Sequence, residues 1–162
     1  MIKIADQKNG YTLVELLITV MVLVIILSAV AVIINPLKRK AQVEDYRREN
    51  NINAIMVAVK SYIFESYGQM IKCGDTEELP RDNEWYCIGT GLCMDTSITA
   101  TECDLNPTLV TDYLEELPKD PTKNSDTDTG YAIKRDLSNK ISIKAFNKSK
   151  YYPKDELILE SF

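Results

Sequence analysis

Few residues of this 162-residue chain are of a type and spacing that could carry chemistry. Histidine is absent, which excludes Ser-His-Asp and Cys-His catalysis and every zinc site that needs an imidazole ligand. The sequence contains no recognisable phosphate-binding loop, activated nucleophile or paired-carboxylate site. What remains is one carboxylate in an apolar run, four clustered cysteines, and several aspartates near a glycine. The sequence therefore predicts a protein that is not an enzyme.

The carboxylate is Glu15, the one charged residue in an apolar run. The run Leu13–Ile34 contains 22 residues, and no other charged side chain interrupts it. At about 1.5 Å per residue, a helix of this length spans a hydrocarbon core about 30 Å thick. We therefore predict a membrane span. A carboxylate near its start costs free energy unless it reaches the headgroups or meets a cation.

All four cysteines lie within residues 73–103, and none follows. An even number in so short a stretch favours disulfides and an oxidising compartment, and without a Cys-x-x-Cys pair a structural zinc site is the weaker alternative. Four cysteines allow three pairings. We prefer Cys73–Cys87 with Cys93–Cys103, because these bonds close short local loops.

The aspartates Asp120, Asp126 and Asp128, with Gly130 after them, are candidate ligands for calcium. Calcium prefers several oxygen ligands from a flexible loop. The stretch lacks the glutamate that closes an EF-hand loop, and aspartate and glycine are also ordinary turn residues. We prefer a turn, predict no cofactor, and retain these three carboxylates as weak calcium candidates.

The segment before the apolar run is short and polar, and Gly10 is the small residue at its border. A secretory signal would instead place small residues after the apolar region, where residues 35–38 are Asn-Pro-Leu-Lys. Cleavage after Gly10 would keep the apolar helix on the mature chain. It would also create an α-amino group on Tyr11, a cation close to Glu15.

Residues 8–16, Lys-Asn-Gly-Tyr-Thr-Leu-Val-Glu-Leu, closely resemble the class III signal of type IV pilins and type II secretion pseudopilins. The resemblance implies that a prepilin peptidase cuts after Gly10, that the new N-terminal Tyr11 is N-methylated, and that Glu15, at the fifth mature position, acts in assembly. The family usually has phenylalanine where Tyr11 stands, and tyrosine keeps the aromatic ring.

Beyond the apolar run, Asn35-Pro36 should interrupt the helix, because proline removes a backbone donor. Residues 38–67 contain no glycine or proline, so helix should resume. The charges between residues 38 and 49 are interpreted as a solvated face, with subunit ion pairing or headgroup contact as the functional alternative. Apolar residues at spacings of mostly three or four predict one buried stripe: Val43, Tyr46, Ile55, Met56, Val59, Tyr62 and Ile63.

The rest of the chain predicts a small sheet. Strand patterns occur at residues 85–88 and 156–159, and alternating residues 131–135 and 140–144 predict a hairpin. A helix is predicted over 108–117. The fold class is therefore α+β: a long N-terminal helix, membrane-spanning first and amphipathic second, packed on a small antiparallel β-sheet, as in pilins.

The predicted domains are a leader at 1–10, a transmembrane and polymerisation helix at 11–37, and a globular pilin-like domain at 38–162. The resemblance implies a structural subunit of a type IV pilus-like filament, held in the cytoplasmic membrane with its C-terminal domain outside and assembled into a cell-surface filament. Its partners would be other copies or related pilins, the prepilin peptidase, and the assembly platform of a pilus or type II secretion system. The net charge of −5 argues against a general nucleic-acid-binding surface, which is normally basic, so no nucleic-acid partner is predicted.

Three alternatives stay open: a secretion pseudopilin, a single-span membrane protein with a small external binding domain that never polymerises, and an anchored module facing the cytoplasm. Lysine and arginine are enriched on the cytoplasmic side of membrane spans. Five of these residues follow the span and favour the last alternative: Lys38, Arg39, Lys40, Arg47 and Arg48. We give the leader motif and the clustered cysteines precedence, because both require the C-terminal domain outside.

Overall fold

The structure is a computed structural model that describes residues 10–75, 77–91, 93, 101–123, 125, 127–154 and 156–160, apart from the side chains of residues 32 and 34. The predicted leader therefore lies almost wholly outside the described residues. The chain divides into two compact units, one ending at Arg39 and the other beginning at Lys40.

Two helices come first, α1 (Leu13–Ile34) and α2 (Pro36–Glu65), and the predicted interruption at Asn35 is confirmed. Asn35 takes a left-handed backbone with φ of 43°, which ends α1. Its side-chain oxygen accepts a hydrogen bond of 3.2 Å from the backbone nitrogen of Lys38 in the first turn of α2. Pro36 stands at the first position of α2, where no backbone donor is needed.

The strands are β1 (Lys72–Cys73), β2 (Glu77–Glu78), β3 (Trp85–Ile88), β4 (Glu102–Cys103), β5 (Tyr131–Arg135), β6 (Ile141–Ala145) and β7 (Leu157–Glu160). They form a two-stranded ribbon of β1 and β2 and a five-stranded sheet with the spatial order β4-β3-β5-β6-β7. All neighbours in the five-stranded sheet are antiparallel except β3 and β4, so the predicted antiparallel sheet is mixed at one edge.

The helix predicted over 108–117 is wrong in length. Helix α3 is a single turn, Asn106–Leu109. Thr111 then adopts a φ of 93°, which a helix does not allow, and its backbone nitrogen donates to the carbonyl of Leu114 at 2.8 Å. The following residues form a tight turn instead, which becomes one wall of a groove described below.

The core of the second unit lies between the later turns of α2 and the inner face of the sheet. The predicted stripe is confirmed there: Ile55, Met56 and Val59 are buried. It is wrong in the first turns, where Val43 and Tyr46 are exposed. The reason is that the inward-facing positions at that end of α2 are occupied by two buried charged residues, Asp45 and Arg48.

Candidate functional site

The N-terminal end of α1 is capped by Thr12. Its hydroxyl oxygen accepts a hydrogen bond of 3.2 Å from the backbone nitrogen of Glu15, and its carbonyl accepts one of 3.1 Å from that of Leu16. Glu15 thus occupies the third helical position of a Thr-x-x-Glu capping sequence, where a carboxylate also interacts favourably with the helix dipole. The residue has a local role in starting the helix, beside the assembly role that the resemblance implies.

Gly10 and Tyr11 precede the cap and are exposed. A Cβ atom added to Gly10 would meet no atom within 4 Å, and the residue does not have the positive φ that favours glycine. Nothing in the described residues therefore requires a glycine at this position. A requirement for a small residue here points to another molecule or to residues outside the described ranges.

Helix α1 is apolar on all sides and leaves its large apolar side chains 43–82% exposed. Its two hydroxyl side chains are satisfied within the helix, since Thr19 and Ser28 donate to the carbonyls of Leu16 and Ile25 at 2.8 Å. Within the described residues one candidate membrane span is found, in the helical stretch Leu13–Glu65, and none of its most apolar window is buried in the chain. A helix with this surface needs lipid or other helices around it.

All four cysteines are in disulfides, but the preferred pairing is wrong. The bonds are Cys73–Cys103 and Cys87–Cys93, with Cα atoms 4.5 and 5.6 Å apart. The first connects β1 to β4. The two strands lie side by side, as the hydrogen bond of 2.7 Å from the Gly74 nitrogen to the Asp104 carbonyl shows. Sequence distance misled the prediction, because β4 comes next to β1, a strand of the other sheet, only in the folded chain.

The three calcium candidates do not form a common site in the part of the chain that is described. Asp120 is bound by the guanidinium of Arg48, Asp128 pairs with Lys123, and Asp126 lies outside the described residues. No group of three or more carboxylates and cysteines in the described residues is placed to hold a metal ion. Calcium binding stays an untested prediction, and the cations on Asp120 and Asp128 compete with it.

A buried ion network joins α2 to the segment before β5, and the sequence analysis missed it. Arg48 donates from Nε to Asp120 at 2.7 Å, from Nη2 to the same carboxylate at 3.1 Å, and from Nη1 to Asp45 at 2.9 Å. Asp45 also accepts the backbone nitrogen of Ser149 at 2.9 Å. The three charged side chains are at most 5% exposed, so interpreting the charges of this helix as a solvated face is wrong for Asp45 and Arg48.

The carboxylate of Asp120 is held in its charged form. Burial by itself raises the pKa of Asp120, but the hydrogen bonds from Arg48 and Thr122 and the charge of Arg48 outweigh burial and leave the pKa below its usual range. A signal for the network was present in the sequence. Asp45 and Arg48 continue the spacing of Ile52, Ile55 and Val59 toward the N-terminus and therefore share their face of the helix.

Comparison with protein families adds one match: the prokaryotic N-terminal methylation motif, over residues 6–31. This is the class III signal motif of type IV pilins and pseudopilins, and it includes Gly10, Tyr11 and Glu15 together with most of α1. Comparison of the chain with curated proteins and with solved structures gives no match. The motif and the α+β layout together are those of a pilin-like precursor.

Proposed function

We propose that this chain is the structural subunit of a type IV pilus-like filament. It is made as a precursor in the cytoplasmic membrane, cleaved between Gly10 and Tyr11, and polymerised through α1. The observation that carries the proposal is the coincidence of two features at one point of the chain. The methylation motif spans residues 6–31, and the helix that begins inside it leaves its described large apolar side chains exposed.

The N-terminal geometry supports the cleavage step. Gly10 lies in an exposed segment before the cap, and the described residues give no reason for a glycine there. A peptidase that accepts only a small residue before the cut supplies that reason. Cleavage places the new amine of Tyr11 one residue before the helix cap, where the positive charge opposes the helix dipole and a nearby carboxylate offsets it.

Glu15 then has an intermolecular role in addition to its local one. In a bundle of copies its carboxylate meets the Tyr11 amine of a neighbour in surroundings of low dielectric constant, where an unpaired charge is costly. The pair fixes the axial register of helices that are otherwise uniformly apolar. A chain that stays a single-span protein needs neither the cleavage nor this pairing, and that difference is what the experiment tests.

The test is intact-mass analysis of the full chain extracted from membranes of cells that contain an active prepilin peptidase. We expect loss of residues 1–10, addition of one methyl group to Tyr11, and recovery of the mature chain in sheared filaments. Gly10→Leu should block cleavage and filament formation, whereas the matched variant Gly10→Ala keeps a small residue and should still be cut. An unprocessed wild-type chain in such cells would show that the proposal is wrong.

A further inference from the structure

The balance of charge differs between the two ends of α2: cations predominate at the N-terminal end, where Glu44 pairs with Lys40 at 3.9 Å, and acids predominate around the other end, where Lys60 is the exposed cation of the helix. At the N-terminal end, the loop 148–154 is attached to the helix by the hydrogen bond of 2.9 Å from the Ser149 nitrogen to Asp45. This loop contains three lysines and no acidic residue. We call the exposed cations of this end the basic end: Lys40, Arg47, Lys148, Lys150 and Lys154.

The other end of α2 carries an apolar groove with acidic residues on its rim. The groove has a volume of about 520 Å³ and lies between α2 and the turn that replaces the predicted helix. That turn, residues 112–116, contains three acidic residues and no cation. We call this feature the acidic groove. Its floor and rim include Ala54, Val57, Ala58 and Leu114, with Glu65 and Asp112.

The acidic groove is preformed within one copy. Tyr113 packs edge-on against Tyr62 with ring centroids 6.1 Å apart, and its hydroxyl donates to Glu65 at 2.8 Å. These two contacts fix the turn against α2 and hold the groove open. A partner therefore pays little ordering entropy when it binds there.

The basic end of a copy is too far from its own groove to neutralise it. Arg47 and Glu65 are separated by about 27 Å of helix, about three times the Debye length of about 8 Å at physiological ionic strength. Two apolar side chains, Val43 and Tyr46, are more than half exposed among the cations of the basic end. An apolar centre with a cationic border matches the apolar floor and acidic rim of the groove, and aromatic anchors are common at such contacts.

On this complementarity we propose that the acidic groove receives the basic end of α2 from a second copy of the chain. Tyr46 lies over Val57 and Ala58, and Arg47 faces Glu65 and Asp112. Each copy uses one surface of each kind, so the contact is head-to-tail, and a contact of this kind builds an open filament when successive copies do not close into a ring. The inference rests on the proposed function and adds a contact between globular units to the packing of α1.

The test compares sheared-filament yield for the full chain in cells with an active prepilin peptidase. Arg47→Glu and Asp112→Arg should each lower the yield about fivefold or more, because reversal turns a rim attraction into repulsion. The double variant restores opposite charges and should recover most of the yield. The matched controls are Lys60→Glu, an exposed cation of α2 in a different cavity, and Glu84→Lys, an exposed acid just before β3 that belongs to neither surface; both should behave as wild type.

Each outcome separates this inference from the proposed function. If wild type forms filaments and both reversals leave the yield unchanged, this inference is wrong and the proposed filament function stands. If the wild-type chain is processed but never forms filaments, the proposed function is itself wrong. Single losses that the double variant does not restore overturn direct pairing of Arg47 with Asp112. If Arg47→Glu alone lowers both the yield and binding to vesicles of anionic lipid, the basic end binds headgroups and the inference is wrong.

Discussion

Helices α1 and α2 both place charge where a purely apolar surface would be simpler, and they differ in where the counter-charge lies. In α1 the charge is Glu15, on a helix whose described large apolar side chains are exposed. In α2 the charges are Asp45 and Arg48, which form a buried network with Asp120. In our proposal the counter-charge for α1 comes from another molecule, whereas α2 finds its counter-charge within the same chain. Removing a charge should therefore impair assembly in one case and folding in the other.

The largest expected effect is on assembly. Glu15→Val should lower filament yield by at least about tenfold, because an amine of a neighbouring copy then lies unpaired in a low-dielectric bundle. The thermal transition of the second unit, followed by the fluorescence of Trp85 as the one tryptophan, should not change. Normal filament recovery from this variant would show that Glu15 acts only at the start of its own helix.

A control variant separates the two roles of Glu15. Thr12→Ala removes the hydroxyl that accepts the Glu15 nitrogen but keeps the carboxylate. It should weaken the cap by about 1 kcal/mol and leave most of the filament yield. If both variants lower the yield equally, helix initiation rather than charge pairing explains the effect.

The second effect is on stability. Arg48→Met leaves Asp45 and Asp120 buried without their cation and should lower the free energy of unfolding by about 3–5 kcal/mol. Denaturant unfolding of the detergent-solubilised full chain, reported by Trp85, measures this change. The neighbouring variant Arg47→Met removes an exposed guanidinium and should change stability by less than about 0.5 kcal/mol. Equal losses for the two variants would contradict the burial of Arg48.

The third effect concerns the disulfides. Loop-closure entropy gives about 3.6 kcal/mol for a loop of 30 residues and about 2.2 kcal/mol for one of 6, the separations found in Cys73–Cys103 and Cys87–Cys93. Replacing both cysteines of the first bond by serine should therefore destabilise the second unit more than replacing both of the second. Peptide mapping under non-reducing conditions checks the pairing itself, and recovery of a Cys73–Cys87 peptide would refute it.

The smallest effect is expected from acid. The folded pKa of Asp120 is below its unfolded value, so its contribution is fully present above the ordinary aspartate pKa of about 3.9 and is lost as pH falls below it toward the folded pKa. The Trp85 unfolding midpoint should fall more steeply below about pH 4 for wild type than for Asp120→Asn. Parallel profiles for the two proteins would show that another group governs acid unfolding.

The sequence alone predicts α1, the interruption at Asn35, strand β3, the β5–β6 hairpin and an edge strand near β7. These elements are specified by local patterns: an uninterrupted apolar run, a proline, or an alternation of apolar and polar residues. The two-residue strands β1, β2 and β4 are too short to produce such a pattern. They exist because neighbouring strands and the Cys73–Cys103 bond hold them, which only the folded chain shows.

The buried network shows the same limit for side chains. Arg48 and Asp120 are 72 positions apart, and no local pattern pairs them. A charged residue on a helix is usually solvated, so the general expectation favoured exposure for Asp45 and Arg48. At the N-terminal site the situation is reversed. Gly10, Tyr11 and Glu15 were identified from a local motif, and their proposed partners lie outside the chain, so the fold adds only the cap and the exposure of the cleavage segment.

One consequence of the disulfide arrangement concerns variation of the chain. Residues 94–100 are flanked by Cys93 and Cys103, which are bonded to Cys87 and Cys73 respectively, and both partners belong to strands. The strands are therefore held on each side of this segment independently of its sequence. By the general scaling of closure entropy, doubling the length of a connection between two fixed points adds only about 0.6 kcal/mol. A peptide tag inserted between Cys93 and Cys103 should therefore leave both disulfides in place and cost the second unit little stability.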